Sequence, residues 1–313
     1  MQPRITDLNS YLRGIFGCRV QKITVDAGLN CPNRDGTIAT GGCIYCNSRG
    51  SGTGAHARGL SITDQLEAGK AAMARRYRAR KFIAYFQAFS NTHAPVSHLR
   101  ILYDEALAVD DVVGLSIGTR PDCVPEPVLA LLQQYARRHL VWVEYGLQSA
   151  RDATLAGINR GHDSACFLNA GAATRARGRP VCAHIILGLP NETRADIQFT
   201  AATLAVAEVD GVKIHSLYVV KGTRLEAQFK AGHYRCLERE EYADLVVDVL
   251  ERLPARVIIQ RLTGDPHPDE LTAPDWCRDK RATLDAVRSA MERRDTWQGK
   301  RCAESRNTPL PAA

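Results

Sequence analysis

Short apolar, β-branched runs alternate with longer amphipathic segments along most of this chain, and this alternation constrains the fold more than any other feature. The spacing predicts six strands, at residues 20–25, 82–86, 112–117, 141–145, 181–187 and 212–217. It predicts helices between them, at residues 62–78, 96–108, 125–138, 165–177 and 195–209. Serial β-α units indicate an α/β fold with a parallel sheet, and six units are fewer than a closed barrel needs. We therefore expect an open, partial parallel β/α barrel.

The pattern changes after the sixth strand, where a predicted helix at 239–253 and a short strand at 257–262 follow. The chain has 313 residues, which suffices for one such barrel. We divide it into a catalytic core at residues 15–235 and a C-terminal extension at residues 236–300. Residues 301–313 contain two prolines and few apolar residues, which is typical of a disordered tail.

Cysteine usage and charge constrain the setting and the partners. Ten cysteines in a chain of this length are too sparse for a disulfide-stapled secreted domain. No run of about 18 apolar residues and no signal-peptide pattern is present, so we expect a reducing, cytoplasmic setting and no membrane partner. The net charge of +7 permits an anionic partner. Basic runs at residues 75–81 and 175–179 suit solvated helix ends or phosphate contacts.

Three cysteines, Cys31, Cys43 and Cys46, follow the first predicted strand in a C-x11-C-x2-C spacing. A structural zinc site closes with four protein ligands, and no second close cysteine pair exists here, although His56 lies near in sequence. Three thiolates on a four-iron cluster leave one iron open to bind another molecule. Ligand counting favours iron–sulfur only modestly, and both metals remain open at this point.

Eight motifs in one order carry a resemblance to a known family. Between about residue 21 and about residue 280 they read DAGLNCPNRDGT, GGCIYC, VVGLSIGTRPDCVP, GLQSA, INRGHD, GLPNET, KIHSLYVVKGT and QRLTGD. With these motifs the chain resembles the radical S-adenosylmethionine (SAM) enzymes, and more closely their YhcC type. It is also similar to the radical domain of the Elongator catalytic subunit, which modifies the wobble uridine of tRNA.

The resemblance implies two cofactors and a place for each. Cys31, Cys43 and Cys46 would hold a 4Fe–4S cluster whose open iron binds SAM. Reductive cleavage of SAM would give a 5′-deoxyadenosyl radical that removes hydrogen from a substrate. An electron donor such as flavodoxin or ferredoxin would supply the electron. Matching family positions imply that the SAM site includes Tyr45, Glu144, Gln148, Arg160 and Gly188.

Most of these assignments leave an alternative open. Tyr45 lies beside the cluster or the adenine, or only packs in the core. Glu144 contacts SAM or substrate, or is a paired carboxylate inside the barrel. Arg160 suits the SAM carboxylate because its planar fork matches one, or it lies on a helix surface. Gly188 fits a tight turn under the adenine.

Other polar residues also lie in or after the predicted strands. His184 stands where some relatives have an acid, and we interpret it as a satisfied core histidine. Lys213 and His215 share one face of a strand, which faces either substrate or an outer packing surface. Arg120 meets substrate or pairs with Asp122. No role is assigned to Gln87, Asn91 and Thr92.

These observations favour a radical SAM enzyme whose best substrate candidate is tRNA near a wobble uridine. The segment at residues 260–265, with Arg261, is a substrate-side element or a cap of the barrel. Two other functions remain open: a radical SAM enzyme acting on a small metabolite or porphyrin, and a non-catalytic, zinc-dependent nucleic-acid-binding module. Salt-sensitive RNA binding distinguishes the tRNA-modifying enzyme from the enzyme that acts on a small molecule. Metal analysis identifies the zinc module.

Overall fold

Seven parallel strands form the central sheet of the protein, whose computed structural model describes residues 3–50 and 52–302. The strands of the described residues are β1 (Val20–Val25), β2 (Lys81–Phe86), β3 (Val112–Thr119), β4 (Leu140–Gln148), β5 (Val181–Leu187), β6 (Gly211–Ser216), β7 (Val219–Val220), β8 (Ile258–Arg261) and β9 (Leu271–Ala273). The sheet has the order β1-β2-β3-β4-β5-β6-β8, with every neighbouring pair parallel. Strands β7 and β9 form a separate antiparallel pair.

Helices follow most of the strands and cover the outer face of the sheet. The described residues contain α1 (Leu8–Phe16), α2 (Ile62–Tyr77), α3 (Val96–Leu107), α4 (Glu126–Tyr135), α5 (Asp152–Gly157), α6 (Ser164–Ala176), α7 (Arg194–Val206), α8 (Arg224–Lys230), α9 (Arg239–Arg252) and α10 (Lys280–Arg293). Short 3₁₀ turns occur at His56–Arg58, Pro121–Cys123 and Asp275–Arg278. None of these helices is long and apolar enough to span a bilayer. The predicted α/β partial barrel is confirmed.

Local sequence explains where the helices begin. Ser61 and Asp64 form a reciprocal capping box at the start of α2, and Thr193 and Asp196 form another at the start of α7, as their spacing predicts. The main core lies between the sheet and the helices, where β-branched strand residues pack on helical leucines. Its fully buried members include Leu99, Leu115, Leu132, Val141, Val143, Ile185, Ala201, Leu204 and Ile214.

The amino ends of the strands are covered by α1, a helix that was not predicted from the sequence. Asp7 caps this helix by accepting hydrogen bonds from the backbone N–H groups of Asn9 and Ser10. Leu12 of α1 is buried against the first residues of the strands. A further apolar cluster fills the barrel interior near the amino ends of the strands. It consists of Trp142, Cys182 and Ile258, and Leu8 and Tyr11 of α1 pack on it.

The sheet has one strand more than the six predicted units. Strand β8 comes from the segment assigned to the extension and pairs in parallel with β6. A register irregularity at Gln260 makes Arg261 the partner of Lys213. The proposed division at residues 235 and 236 stays a prediction. The predicted tail lies, from residue 303 onward, outside the described residues.

Candidate active site

A cavity of about 200 Å³ opens at the carboxyl ends of the parallel strands. We call this opening the mouth. The cavity is lined by the loop between β1 and α2, which we call the cysteine loop, and by the ends of β2 to β6. Its polar and aromatic lining includes Cys31, Cys43, Tyr45, Cys46, Tyr85, Gln87, Arg120, Glu144, Gln148, Arg160, His184 and His215. Most residues singled out from the sequence therefore meet in one place.

The three predicted cysteines lie on one wall of this cavity as free thiols, with Cys43 buried and the other two partly exposed. Three or more His, Cys, Asp or Glu side chains must lie close together to hold a single metal ion. Among the described residues, Glu144, Cys182 and His184 form the one such group, and the three cysteines do not form another. Zinc holds thiolates at about 2.3 Å and so draws their sulfurs close together. A four-iron cluster places each sulfur on a different iron. Three thiols that are not grouped closely enough for one ion suit a cluster better than a single zinc ion.

Hydrogen bonds tie the cysteine loop to the segment after α5. Asn33 donates from Nδ2 to the carbonyl oxygen of Asn159 at 2.6 Å, and Asn159 donates back to the carbonyl of Gly42 at 2.8 Å. Within the cysteine loop itself, Arg34 donates to the carbonyl oxygens of Cys46 and Asn47, both at 2.6 Å. These contacts fix the loop over the sheet, although the loop has little regular structure of its own.

Gly50 allows the part of the cysteine loop that follows Cys46 to pass the ring of Phe89. Its φ is +56°, and a Cβ at this position would lie 2.3 Å from Phe89 Cδ1. The Phe89 amide donates to the Gly50 carbonyl at 3.2 Å, which holds the two backbones together. Both the conformation and the space therefore require glycine here.

Arg160 lies against Cys43 inside the site rather than on a helix surface. Its Nη1 donates to Cys43 Sγ at 3.7 Å, and its Nη2 donates to the Gly146 carbonyl at 2.6 Å. Burial raises the pKa of the Cys43 thiol, but Arg160, Tyr45 and Arg120 together oppose burial and the net pKa is lowered. At Cys46 burial dominates and raises the pKa, with Arg34 opposing it. Arg160 thus favours a thiolate at Cys43.

Arg120 has a structural partner as well as a place in the cavity wall. It forms a two-point ion pair with Asp122, with distances of 2.9 and 2.6 Å, and donates to the Arg160 carbonyl at 2.7 Å. Asn91 and Thr92 also link loops: Asn91 donates to the carbonyl of Gly118 in β3 at 2.8 Å, and Thr92 shares a hydrogen bond with the last residue of β3. These polar groups hold the mouth in shape.

Glu144 on β4 is fully buried and accepts hydrogen bonds from four side chains. Oε1 accepts from Lys22 Nζ at 2.5 Å and from the Ser116 hydroxyl. Oε2 accepts from His184 Nε2 at 2.7 Å and from the Lys213 ammonium. The alternative of a paired interior carboxylate therefore describes the geometry, while a contact between Glu144 and SAM stays a prediction.

The ionisation of this group follows from its burial and its charges. Burial raises the pKa of Glu144, but Lys213, Lys22 and His184 together hold it well below its usual range. Burial lowers the pKa of Lys22 to about 8, although Glu144 opposes the shift. Burial, followed by Lys213, lowers the pKa of His184 to about 4. His184 is therefore neutral at pH 7 and donates to an ionised carboxylate.

Lys213 and His215 face the barrel interior and not an outer packing surface. The Lys213 ammonium lies 3.8 Å from the centroid of the Tyr85 ring, and the His215 ring lies 5.5 Å from the His184 ring. The predicted core histidine, His184, is satisfied by Glu144 but also lines the cavity. Lys22 was not among the residues predicted from the sequence, although a lysine inside a predicted strand was an available signal.

The SAM residues implied by the resemblance separate into two groups. Tyr45, Glu144, Gln148 and Arg160 line the cavity, with Gln148 at a φ of +77° at the end of β4. Gly188 lies in the turn after β5 with a φ of +91°, and its carbonyl accepts from Tyr234 at 2.8 Å. Gly188 is outside the described cavity lining, and so is His56, whose ring packs on Gly28.

Comparisons with protein families identify the class of protein that this fold and site belong to. A model of the Radical SAM superfamily matches residues 34–204, and a model of the Radical_SAM C-terminal domain matches residues 209–293. The chain belongs to the Radical SAM superfamily. It is therefore an enzyme whose cofactors are a 4Fe–4S cluster and SAM, and the hypothesis of a non-catalytic zinc module is set aside.

Individual relatives agree with this family. Protein YhcC of Escherichia coli K12 is 41% identical over 266 residues, covering 85% of this chain and 85% of its own. Elongator complex protein 3 of Saccharomyces cerevisiae is 29% identical over 53% of this chain, which spans only 29% of that protein. The solved structure of Elp3 from the archaeon Methanocaldococcus infernus has a TM-score of 0.68 at 17% identity, covering 92% of this chain and 65% of that one. That likeness shows a shared fold.

Proposed function

We propose that this enzyme cleaves SAM reductively and removes a hydrogen atom from a substrate bound inside the barrel. The observation that carries the proposal is the shared cavity, in which three thiols face the polar ends of β4, β5 and β6. In this assignment Cys31, Cys43 and Cys46 bind three irons of the cluster. The SAM site consists of Tyr45, Glu144, Gln148, Arg160 and Gly188. The bound cofactors supply a 5′-deoxyadenosyl radical.

The protein's own residues position these groups and shield them from water. Arg160 holds Cys43 as a thiolate and is itself fixed by the Gly146 carbonyl. Tyr45 and Phe89 give the cavity wall apolar surface beside the cysteines. Such surface limits the access of water and of stray hydrogen donors to a reactive intermediate. Positioning and exclusion are what this scaffold contributes to the chemistry.

The first test is anaerobic SAM cleavage. The protein is reconstituted with iron and sulfide, reduced with dithionite and mixed with SAM, and 5′-deoxyadenosine is quantified. We expect product from the wild type and from Cys18→Ala, since Cys18 lies outside the cavity lining, and none from Cys43→Ala. Absence of product from a cluster-loaded wild type would refute the proposal, as would equal product from Cys43→Ala.

We further propose tRNA, near a wobble uridine, as the substrate. The support is the similarity to the Elongator radical domain and the net charge of +7, with Arg49 and Arg58 exposed on the cysteine loop. Binding of bulk tRNA should then weaken steeply with salt, because phosphate contacts release counterions. A deletion strain should lack one modified nucleoside. Neither tRNA binding nor any change in nucleosides would contradict this assignment.

A small metabolite or porphyrin is the second candidate. The concentration of buried and half-buried ionisable groups on the inner face of the strands favours it, because Glu144, Lys213 and His215 can recognise a small polar molecule through paired contacts. In that case a low-molecular-weight cell extract, and not tRNA, should stimulate 5′-deoxyadenosine formation. Stimulation should also persist at high salt, which distinguishes the two candidates.

We also propose a reducing, cytoplasmic setting with flavodoxin or ferredoxin as electron donor. The ten cysteines are free in the structure, and radical SAM chemistry requires a reductant. Replacing dithionite by reduced flavodoxin or ferredoxin should sustain SAM cleavage. Failure of both donors, with dithionite active, would contradict this choice of partner.

A further inference from the structure

Three neighbouring strands place basic side chains in one row on the inner face of the barrel. His184 of β5, Lys213 of β6 and Arg261 of β8 are register partners. Register partners share a face of a sheet, and both His184 and Lys213 reach Glu144 inside the barrel. Arg261 therefore faces the same interior. The irregularity at Gln260 turns two successive residues inward, because Gln260 also accepts from Lys22 there.

Positive charge exceeds negative charge in this interior. Lys22, Lys213 and Arg261 contribute three cations, whereas Glu144 is the single carboxylate that contacts any of them within the described chain. Glu144 pairs with both lysines, whereas the Arg261 side chain has no ion pair or hydrogen bond to any described residue. Among the described residues the three cations thus exceed the one carboxylate by two charges, and Arg261 is the cation without a counterion.

Burial and the excess positive charge lower the pKa values of the neighbouring Lys213 and His215. Burial holds the pKa of His215 well below its usual range, and Arg261, His184 and Lys213 lower it further. Burial also lowers the pKa of Lys213, where Glu144 opposes the shift and Arg261 adds to it. Arg261 is therefore close enough to influence His215, which lines the cavity.

The same charges argue against a second metal ion. Glu144, Cys182 and His184 have ligand atoms within 4.8 Å of one another, which is close enough for a cation. However, the Lys22 ammonium lies 2.5 Å from Glu144, and Lys213 contacts the other oxygen. A divalent cation would have to displace or repel two buried ammonium groups. The ligand class that suits this interior is an anion.

We infer that Arg261, with Lys213 and His215, forms an oxyanion subsite that binds a carboxylate or phosphate group of the molecule from which hydrogen is removed. The planar guanidinium offers two parallel N–H donors to such a group, and the lysines neutralise its charge. This inference rests on the proposed function, because it assigns the interior to substrate. SAM also carries a carboxylate, so the test must separate SAM from substrate as the source of the anion.

The test is equilibrium dialysis of ³²P-labelled inorganic phosphate against the cluster-loaded protein, with and without saturating SAM. We expect one saturable phosphate per chain, retained in the presence of SAM and displaced by excess acetate. Arg261→Gln should weaken phosphate binding at least tenfold, while Arg261→Lys retains most of it. Arg288→Gln is the matched control, because Arg288 is exposed on α10 away from the cavity.

Three results would overturn the inference: no saturable phosphate, equal binding by Arg261→Gln, or displacement of phosphate by SAM. In the last case the SAM affinity of Arg261→Gln should fall, which would assign the subsite to the SAM carboxylate. The 5′-deoxyadenosine assay is read separately on the same samples. Phosphate binding without SAM cleavage would contradict the proposed function and leave the oxyanion subsite standing. SAM cleavage without phosphate binding would contradict the oxyanion subsite and leave the proposed function standing.

Discussion

The guanidinium of Arg160 donates a hydrogen bond to the sulfur of Cys43 at 3.7 Å, and its other arm is fixed to the Gly146 carbonyl at 2.6 Å. A side chain from the segment after α5 thus connects the cysteine loop to the end of β4. Hydrogen bonds to cysteine sulfur and nearby positive charge both favour the reduced form of an iron–sulfur cluster. Arg160 is therefore placed to tune the ease of reduction as well as to orient a ligand.

Arg160→Met should lower the midpoint potential of the reconstituted cluster by an amount on the order of tens of millivolts, because both the N–H donor and the positive charge are lost. Arg160→Lys should recover part of the shift. The measurement is an anaerobic redox titration followed by electron paramagnetic resonance. Arg100→Met, on the exposed face of α3, is the control. An unchanged potential at full iron content would contradict this role.

Glu144→Gln should destabilise the protein strongly. The substitution keeps the shape but leaves Lys22 and Lys213 buried without a counterion, so we expect the free energy of unfolding to fall by about 3–5 kcal/mol. Urea denaturation at pH 7 measures the change. Glu126→Gln removes an exposed carboxylate that pairs with Arg177, and should change stability by less than about 0.5 kcal/mol. Equal stability of the two variants would show that the buried group is not a charged network.

Stability should decrease as the pH falls below the ordinary pKa of histidine. The pKa of His184 is lowered to about 4 in the folded state, so between about pH 6.5 and 4 the unfolded chain binds a proton that the folded chain does not. Its contribution to stability is present above this window and is lost as the pH falls through it.

We expect His184 to account for about 1 kcal/mol of the loss between pH 7.5 and 5.5. Urea denaturation of His184→Asn across this range should therefore show a flatter profile than the wild type. His98→Asn, at an exposed position on α3, should keep the wild-type profile. Parallel profiles for wild type and His184→Asn would place the titration elsewhere.

Gly50→Ala should impair cluster assembly. A Cβ would meet the Phe89 ring at 2.3 Å and the φ of +56° is strained for alanine, so the part of the cysteine loop that follows Cys46 must move. Iron and sulfide content after reconstitution should fall by at least half. Gly54→Ala is the matched control, because its φ of +68° carries the same strain while the nearest atom is 3.6 Å away. Equal losses in both variants would assign the effect to strain and not to Phe89.

The strand and helix pattern was largely predictable because the strands are buried on both faces, by the outer helices and by the barrel interior, and such burial favours continuous apolar runs. The bounds of β1 and β5 match the prediction, and most predicted helices shift by one to three residues at an end. Helix α1 was missed because it is short and precedes the first strand, so no β-α repeat indicates it. The place of β8 in the main sheet depends on packing against β6, which no local pattern encodes.

The candidate site was predictable where chemistry depends on residue type and not where it depends on register. The cysteines and the residues after β4 carry motifs, and they line one cavity. The convergence on Glu144 depends on donors from β1, β3, β5 and β6, whose alignment only the assembled sheet determines. The positions of Lys22 beside Glu144 and of Arg261 beside Lys213 follow from that alignment.

The apolar cluster at the amino end of the barrel determines how substrate can enter the cavity and how product can leave it. Trp142, Cys182 and Ile258, covered by α1, close the amino end of the barrel, so the cavity communicates with solvent through the cysteine-lined mouth. Within the part of the chain that the structure describes, substrate and product then pass through the same opening. A product that lingers there blocks the next arrival, and turnover should show inhibition by product that is competitive with substrate.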